Sequence, residues 1–248
     1  FAGTRARNIG VDTGNYYNYF YLKGLNVSGF FEFLRVLDTD FFFSVIMYFV
    51  FMFKSYQFFL FIIALILNIS LYKFVRKFTN YGKNGSSLIL FLTMASSFIF
   101  LNHQINIIRN GLSIPFVLFG IYYIDKKIYK KSILFFLIAF LFHRTALIPI
   151  ACIVISVIGE KIKYKYFIIL YIMAIGLAAV GFGFDKIPFL SAIGNDDLQS
   201  LAFDGETNYR VGFRIDFVVF NSLFLFLFLK FSSLKNKTNL LFLKYYII

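Results

Sequence analysis

Long apolar runs dominate this chain and restrict what it can fold into. An α-helix needs about 20 mostly apolar residues to cross the hydrocarbon core of a bilayer. Runs of about this length cover 56–75, 86–103, 105–124, 166–183 and 214–231, and a further run starts near 239. The sequence is 60% hydrophobic and 15% charged, whereas an average soluble domain is about 25% charged. We therefore expect an all-α, polytopic membrane protein.

Lysine and arginine occupy different parts of the sequence. Lysines cluster in short segments between apolar runs: Lys73, Lys77, Lys83; Lys126, Lys127, Lys130, Lys131; Lys161, Lys163, Lys165; and Lys230, Lys235, Lys237. Because cytoplasmic loops of membrane proteins are enriched in basic residues, these segments predict the cytoplasmic face. Arginine, apart from Arg76, lies near acids, Asn, His or Gly: Arg5, Arg7, Arg35, Arg109, Arg144, Arg210 and Arg214. Since guanidinium groups bind phosphate and carboxylate bidentately, the arginines are candidates for a site on the outer face.

Charge and composition exclude several classes of function. A net charge of +13 would suggest nucleic-acid binding in a soluble protein, but lysine-rich cytoplasmic loops explain it here, so we expect no nucleic-acid partner. The single cysteine, Cys152, allows no internal disulfide. The two histidines lack HExxH spacing, which argues against zinc. We therefore expect neither a metal nor a cofactor.

The domain organisation follows from the same patterns. No repeat and no linker of biased composition divides the sequence, which predicts one transmembrane domain over 1–248. The chain begins at Phe1 and stops in an apolar stretch at Ile248. We interpret it as a fragment that lacks at least one N-terminal span and the C-terminal end. The lysine topology makes 1–38 and the polar stretch 184–213 extracytoplasmic loops.

Segment 132–158 decides the topology of the C-terminal half. It holds about 27 largely apolar residues, which is long for one span and short for two. If both flanking lysine loops are cytoplasmic, the segment enters and leaves on one side, as a re-entrant or short-helix pair with its tip near 142–145. Such a tip is tolerated where it is buried in protein or lines a wet cavity. The alternative is one long helix bent near Pro149, which would invert all later loops.

Two candidate sites lie in the first half of the chain. The first contains Arg5, Arg7 and Asp12 together with Gly10 and Gly14, and its alternative is an ordinary solvated loop beside the membrane. The second contains Asn102, Asn106, Arg109 and Ser113, whose spacings of 4, 3 and 4 predict one polar face of a helix. A polar stripe in an apolar run should face a cavity or another helix. The alternative is an arginine whose head group snorkels to the surface.

Two further candidates lie in the second half. His143 and Arg144 form an ionisable pair within an apolar segment, which is a functional hypothesis by default, although a lone histidine is often a structural residue. Arg210 and Arg214 are four residues apart, so a helix would place them on one face. Asp216 could pair with one of them for purely structural reasons. Several arginines near one cavity favour a polyanionic ligand such as a lipid-linked pyrophosphate.

These motifs resemble those of the EpsG-like and Wzy-like bacterial polysaccharide polymerases. Arg-x-x-Gly-x-Asp-Thr-x-x-Tyr runs from Arg7 to Tyr16, and Ile-Arg-Asn-Gly-Leu at 108–112 loosely matches the family's Ile-Arg-Gln-x-Ala-like helix start. Leu-Phe-His-Arg-Thr-Ala-Leu-Ile at 141–148 is close to its Phe-His-x-Ser-Ala-Leu motif, and Tyr209 to Arg214 suits its later arginine-rich motif. Asn110 and Thr145 depart from the usual Gln and Ser but keep a polar or hydroxyl group. The order and rough spacing of the set, over most of the chain, carry the resemblance.

The resemblance implies a GT-C-like multi-helix fold and a glycosyltransferase that needs no metal and no nucleotide sugar. Its substrates would be undecaprenyl-pyrophosphate-linked oligosaccharide repeat units, joined into O-antigen, capsule or exopolysaccharide on the periplasmic or outer face of the bacterial inner membrane. Expected partners are this lipid-linked substrate, the bilayer and a chain-length regulator protein. Two other classes stay open. One is a flippase or transporter of lipid-linked oligosaccharide, although no internal pseudo-symmetry is evident, and the other is an O-antigen ligase-like transferase.

This hypothesis assigns the arginines to anion binding. Arg109, Arg210 and Arg214 would hold the pyrophosphate and stabilise negative charge on the leaving group. Arg5 and Arg7 would bind the second lipid pyrophosphate or an acidic sugar.

The same hypothesis requires a group that accepts the proton of the attacking hydroxyl. His143 and Asp12 are the two candidates, and we prefer His143 because histidine titrates near neutral pH. Glu206 is a third candidate base and is also expected to bind substrate. Asn106 and Arg144 complete the expected substrate contacts.

Overall fold

The part of the chain that the computed structural model describes is mostly helical. Described are residues 3–6, 9–22, 24, 27, 29–37, 40–79, 86–182, 215–232 and 237–247, and no strand occurs in these ranges. The all-α fold class is therefore confirmed. The chain separates into two compact units, Phe1–Leu147 and Ile148–Ile248, and a single transmembrane domain stays a prediction. The predicted outer loop 184–213 lies outside the described residues.

The N-terminal unit contains eight described α-helices and two short helical turns. These are α1 (Val11–Asn15), a π-helical turn (Tyr16–Leu22), α2 (Phe30–Leu37), α3 (Phe41–Phe51), α4 (Tyr56–Phe78), α5 (Ser86–Ala95), α6 (Phe98–Ile105), α7 (Ile108–Asp125), α8 (Tyr129–Phe142) and a 3₁₀ turn (Arg144–Ala146). The predicted outer segment 1–38 is thus partly helical.

Helix α4 is the clearest candidate for a membrane span. It has 23 residues and, among the described helices, is the one long and apolar enough to cross a bilayer by itself. The predicted run 86–103 does not form one helix, because the chain bends by 63° between Ser87–Ala95 and Phe98–Ile105. At this bend Ser97 Oγ accepts a hydrogen bond from Phe100 N (3.2 Å) and starts α6 anew. If the bent pair counts as one span, the described residues contain two candidate spans by length and composition.

The two faces of α4 show how the unit packs. Phe59, Ile63 and Leu67 are buried and recur at helical spacing, and they join Met47 of α3 and Leu112 of α7 in one apolar cluster. The opposite face is apolar as well and carries the half-exposed side chains Phe61, Leu65 and Ile69. An exposed apolar face of this kind fits contact with lipid, which is consistent with a helical membrane protein.

Helices α7 and α8 form an antiparallel hairpin that sets the position of the site. The connection is the short basic turn 126–128, in which Lys127 has a positive φ of 59°. Ser132 Oγ of α8 donates to the carbonyl of Gly120 in α7 (2.9 Å), and the rings of Phe119 and Phe135 stack at 4.9 Å. Because the two helices run in opposite directions, the start of α7 and the end of α8 lie at the same end of the hairpin.

Lysines from two predicted cytoplasmic loops meet at the other end of this hairpin. Lys77, at the end of α4, donates to the hydroxyl of Tyr123 (2.5 Å), and Lys131 lies over the Tyr123 ring at 5.5 Å. Lys126 lies over the neighbouring Tyr122 ring at 5.8 Å. The 18 residues of α7 span about 27 Å at 1.5 Å per residue, so this lysine end is nearly a hydrocarbon thickness from the start of α7.

The C-terminal unit contains four described α-helices and a 3₁₀ turn. They are α9 (Leu147–Ile158), which begins at the unit boundary, the 3₁₀ turn (Gly159–Lys161), α10 (Tyr164–Ala179), α11 (Ile215–Phe231) and α12 (Lys237–Ile247). Phe167, Leu225 and Leu243 bury one another in its core. Lys244 is 1% exposed, and its ammonium group donates to the carbonyls of Gly159 (2.8 Å) and Glu160 (2.7 Å). These two bonds satisfy main-chain acceptors where α9 ends.

The helix break predicted within 132–158 is present at the predicted place. Helix α8 ends at Phe142, His143 is extended (φ −163°, ψ 122°), and the 3₁₀ turn follows. The alternative bend at Pro149 is wrong, since Pro149 lies inside α9, in its first turn, where proline is tolerated. Whether the segment enters and leaves on one side stays a prediction.

Candidate functional site

The polar centre of the N-terminal unit is the carboxylate of Asp40, directly before α3. Its main-chain oxygen accepts the first hydrogen bond of that helix, from Ser44 N (3.0 Å). An aspartate at this position commonly caps its own helix, but the Asp40 side chain makes no such bond. The side chain is 4% exposed and contacts residues 69 or more positions further along the chain.

Three donors converge on this carboxylate. Arg109 Nη1 donates to Oδ2 at 3.1 Å and forms an ion pair with it. Nδ1 of His143 lies 2.9 Å from the same oxygen. The Arg144 main-chain N–H donates to Oδ1 at 3.0 Å. The structure thus brings together three predicted site residues, Arg109, His143 and Arg144, and adds Asp40, which the sequence analysis did not select.

The helix ends explain why these groups meet. Arg109 is the second residue of α7, and His143 follows the last residue of α8, so the antiparallel hairpin places both at the end opposite the lysines. The His143 N–H bonds to the Ala139 carbonyl (3.0 Å) and closes α8. The chain then turns, which aims the Arg144 N–H at Asp40.

The environment of Asp40 keeps it ionised. Burial by itself would raise the pKa of the Asp40 carboxyl, but the hydrogen bond and charge of His143, the charge of Arg109 and the Arg144 N–H outweigh it and hold the pKa below its ordinary value. Asp40 is therefore an anion at neutral pH. A carboxylate whose pKa lies below its ordinary value is a weaker general base at neutral pH.

Arg109 is held by a second partner from the N-terminal motif. Its Nε donates to the Tyr16 hydroxyl at 3.3 Å, and its guanidinium lies over the Tyr16 ring at 5.8 Å. Tyr16 is 4% exposed and packs on Phe43 of α3 with ring centroids 5.3 Å apart. The charge of Arg109 is therefore compensated by a carboxylate and an aromatic face of the protein, while its side chain remains 18% exposed.

Arg5 belongs to a separate set of contacts. It is 3% exposed, and its Nε and Nη2 donate to the Thr13 hydroxyl at 3.1 and 3.0 Å. Thr13 Oγ1 in turn donates to the Ile105 carbonyl (3.2 Å), and the Tyr56 hydroxyl donates to the Thr13 carbonyl (2.5 Å). Burial lowers the pKa of the Arg5 guanidinium. Among the described contacts, this set connects the N-terminal segment to the last residue of α6 and the first residue of α4.

The N-terminal motif links the two arginines. Thr13 contacts Arg5 and Tyr16 contacts Arg109, and the two residues lie three positions apart on one helical segment. Gly10 has a φ of +93°, and a Cβ there would lie 2.8 Å from the Ile105 carbonyl oxygen. The motif residues Gly10, Thr13 and Tyr16 therefore all contact the region where α6 gives way to α7.

The predicted polar stripe on a single helix is wrong. Helix α6 ends at Ile105, Asn106 follows as its cap, and α7 begins at Ile108, so Asn102 and Arg109 lie on different helices. The Asn106 amide instead donates to the Asn102 side-chain oxygen (2.5 Å). Ser113 Oγ donates to the Asn110 carbonyl of its own helix (2.7 Å). The spacing of the polar residues hid this turn, because intervals of 4, 3 and 4 fit one helix, although the apolar runs 86–103 and 105–124 are already separate in the sequence.

Several predicted site residues cannot be placed. Arg7, Glu206, Arg210 and Arg214 lie outside the described residues. Asp12 belongs to α1, and its side chain lies outside them as well. Their roles stay predictions. Within the described ranges, no group of three His, Cys, Asp or Glu side chains could hold a metal ion.

The sequence position of Asp40 predicts a helix cap, because it is an acid immediately before an apolar run. A cap is a local role, so this position gives no indication of the distant contacts that Asp40 makes. Thr13 and Tyr16 stood inside a motif that was already selected, but only its charged members were assigned roles.

Comparison with known proteins places the chain in a family. The model of the EpsG family matches residues 1–248, the whole of the sequence. No curated protein and no solved structure matches.

Proposed function

The chain belongs to the EpsG family, and from this premise we propose that it is a membrane glycosyltransferase that polymerises lipid-linked oligosaccharide repeat units. The repeat units are carried on undecaprenyl pyrophosphate and are joined into O-antigen, capsule or exopolysaccharide. The fold is a GT-C-like helix bundle in the bacterial inner membrane, and its site faces the periplasm or the outside. A chain-length regulator protein is a further proposed partner.

The proposed reaction transfers a glycan from one lipid carrier to the end of another. The proton of the acceptor hydroxyl passes to His143, and the hydroxyl oxygen bonds to the anomeric carbon of the donor. The bond from that carbon to the pyrophosphate oxygen breaks, and its electron pair leaves with the pyrophosphate. His143 is thus the general base, and arginine side chains stabilise the charge on the leaving group.

One observation supports this assignment most directly: Arg109 and His143 meet around Asp40 at the end of the hairpin opposite the lysines. A base and a cation of this kind are the two groups that the transfer needs close together. A guanidinium has five N–H donors, so Arg109 can bind Asp40 and a phosphate oxygen at once. Arg210, Arg214, Arg5 and Arg7 are the further proposed anion ligands.

The test is polymerisation by the purified protein in lipid nanodiscs supplied with a lipid-pyrophosphate-linked repeat unit. The readout is the length distribution of the glycan. His143→Gln keeps a polar side chain of similar reach but removes the base, and we expect it to lower the polymerisation rate by about 100-fold or more.

His103→Gln is the matched control, because the chain has two histidines and His103 contributes to none of the proposed steps. It should polymerise at close to the unsubstituted rate. Long glycan made by His143→Gln at an equal protein level would refute the assigned base. Failure of the unsubstituted protein to extend any lipid-linked unit would refute the polymerase.

A further inference from the structure

We propose that Asp40 is a positioning residue that fixes His143 in the tautomer with the proton on Nδ1, which leaves Nε2 as the basic nitrogen of the site. This inference rests on the proposed function, in which His143 is the base. Its structural content, which ring nitrogen carries the proton, can be measured without any enzymatic activity.

The hydrogen bonds to Asp40 determine where the proton lies. Both carboxylate oxygens are occupied: Oδ2 by Arg109 and His143, and Oδ1 by the Arg144 N–H. An ionised carboxylate accepts hydrogen bonds and donates none. The 2.9 Å contact to Nδ1 of His143 is therefore a bond in which Nδ1 donates. In the neutral ring the proton is on Nδ1, and Nε2 carries the lone pair.

The other side of the ring is left for the substrate. Nε2 of His143 has no hydrogen-bond partner among the described residues. The side chain is 9% exposed, so the ring is largely fixed by its surroundings yet not sealed from them. A ring bonded at Nδ1 and open at Nε2 is the arrangement in which an imidazole accepts a proton from a bound hydroxyl.

Main-chain hydrogen bonds on both sides of His143 help to hold its ring in this orientation. Its own N–H closes α8 on the Ala139 carbonyl (3.0 Å), and the next N–H, of Arg144, is bound to Asp40. Asp40 thus holds both the ring and the peptide that follows it. After proton transfer, the resulting imidazolium lies against a carboxylate that stabilises its charge, as an aspartate does for a protonated histidine base in hydrolases.

Asparagine is the informative replacement for Asp40, because it has the same size but one acceptor oxygen. With its oxygen towards Arg109 and His143, its amide N–H groups oppose the Arg144 N–H. With its oxygen towards Arg144, its amide opposes Arg109 and donates to Nδ1, which moves the ring proton to Nε2. Either orientation costs a hydrogen bond, and neither reproduces the carboxylate.

The direct test is ¹⁵N NMR of protein labelled at histidine and reconstituted in lipid. Two histidines give two ring systems, and His103→Gln assigns them. At a pH where the neutral ring dominates, the unsubstituted protein should show Nδ1 of His143 protonated and Nε2 unprotonated. A dominant Nε2–H tautomer would overturn the proposal. This NMR measurement uses no variant of Asp40, so it tests the proposal even if Asp40→Asn folds poorly.

The kinetic test separates positioning from simple structural support. Asp40→Asn should lower turnover at saturating lipid-linked substrate by about 100-fold or more, while the half-saturating concentration changes by less than about threefold. Asp125→Asn is the matched control, since Asp125 pairs with Lys126 (3.7 Å) at the opposite, lysine end, and its turnover should be unchanged. Turnover of Asp40→Asn within about threefold of the unsubstituted protein would refute the positioning role.

Different results would refute the proposed polymerase function and the proposed role of Asp40. If the unsubstituted protein does not polymerise, the proposed function fails, while the tautomer measurement still tests the role of Asp40. If it polymerises and His143 is protonated at Nε2 instead, the function stands and the inference about Asp40 fails.

Discussion

At the scale of single residues, the main result concerns the counter-ion of Arg109. An arginine within an apolar run is costly unless a group of opposite charge is near, and the sequence pattern predicted a pyrophosphate as that group. The structure supplies a protein carboxylate, Asp40, 3.1 Å from Arg109. The arginine is therefore stable in the folded protein without a bound anion, and its proposed work on a substrate is additional to a structural role.

This pairing predicts a coupled effect on stability. Arg109→Gln leaves the buried Asp40 charge without its guanidinium, and we expect a loss on the order of 2–4 kcal/mol, since removing one partner of a buried pair is strongly destabilising. Thermal or denaturant unfolding in a fixed detergent measures it. The double variant Arg109→Gln with Asp40→Asn should lose less than the sum of the two single losses, by about 1–3 kcal/mol.

The same set of single and double variants, a double-mutant cycle, also separates the effect on stability from the effect on activity. The double variant removes both charges and so recovers stability, but it restores neither the proposed base orientation nor the cation, and its polymerisation should stay low. Additive losses, within about 0.5 kcal/mol, would show that the two side chains do not interact in the folded protein.

At the residue level, the sequence indicated which ionisable groups lie in apolar runs, but it did not indicate their distant partners. Arg109 and His143 were selected because ionisable groups are rare in apolar runs, and the structure brings them together. Asp40 was missed because nothing in local periodicity reports a contact 69 or 103 positions away. The compensating charge of a buried group is a property of the fold, so sequence spacing cannot supply it.

At the scale of elements, the tight turn between α6 and α7 places Arg109. The apolar runs 86–103 and 105–124 predicted a break near residue 104, but the spacing of the polar residues predicted one helical face that continues through Asn106. The structure turns there, and Gly111 of α7 packs against the main chain of α6. A Cβ on Gly111 would lie 2.6 Å from the His103 carbonyl oxygen, a backbone atom that cannot move aside as a flexible side chain can.

This contact predicts that Gly111→Ala is harmful despite alanine's better helix propensity. The added methyl group forces α6 and α7 apart, and we expect a loss of about 1–3 kcal/mol, typical of overpacking. Arg109 is two residues away, so polymerisation should fall as well. Unfolding in detergent and the glycan-length assay measure the two effects.

Gly176→Ala is the matched control for this prediction. Gly176 lies inside α10, and a Cβ there meets nothing within 4 Å. The substitution should be neutral or stabilise by up to about 1 kcal/mol. Equal effects of the two glycine substitutions would contradict the close approach at Gly111.

At the scale of the whole molecule, the separation of lysine from arginine in the sequence has a spatial counterpart in the N-terminal unit. Lys77, Lys126 and Lys131 gather around Tyr122 and Tyr123 at one end of the α7–α8 hairpin. The Asp40, Arg109 and His143 cluster occupies the other end. If the lysine end is cytoplasmic, as basic loops predict, the proposed site faces outwards, where lipid-linked glycans are polymerised in this hypothesis.

Cysteine labelling can measure on which side of the membrane the loops after segment 132–158 lie. Cys152→Ala removes the single native thiol, and single cysteines then replace Lys130 and Lys163, on either side of segment 132–158. If that segment enters and leaves on one side, an impermeant thiol reagent should label neither site in intact cells and both after permeabilisation. Asn195→Cys, in the predicted outer loop, should then be labelled in intact cells, and its labelling is a second readout of the same orientation. Labelling of the Lys163 site from outside, with the Lys130 site protected, would mean that the segment crosses the membrane. Arg210 and Arg214 would then lie on the face opposite Arg109, and they could not share its substrate.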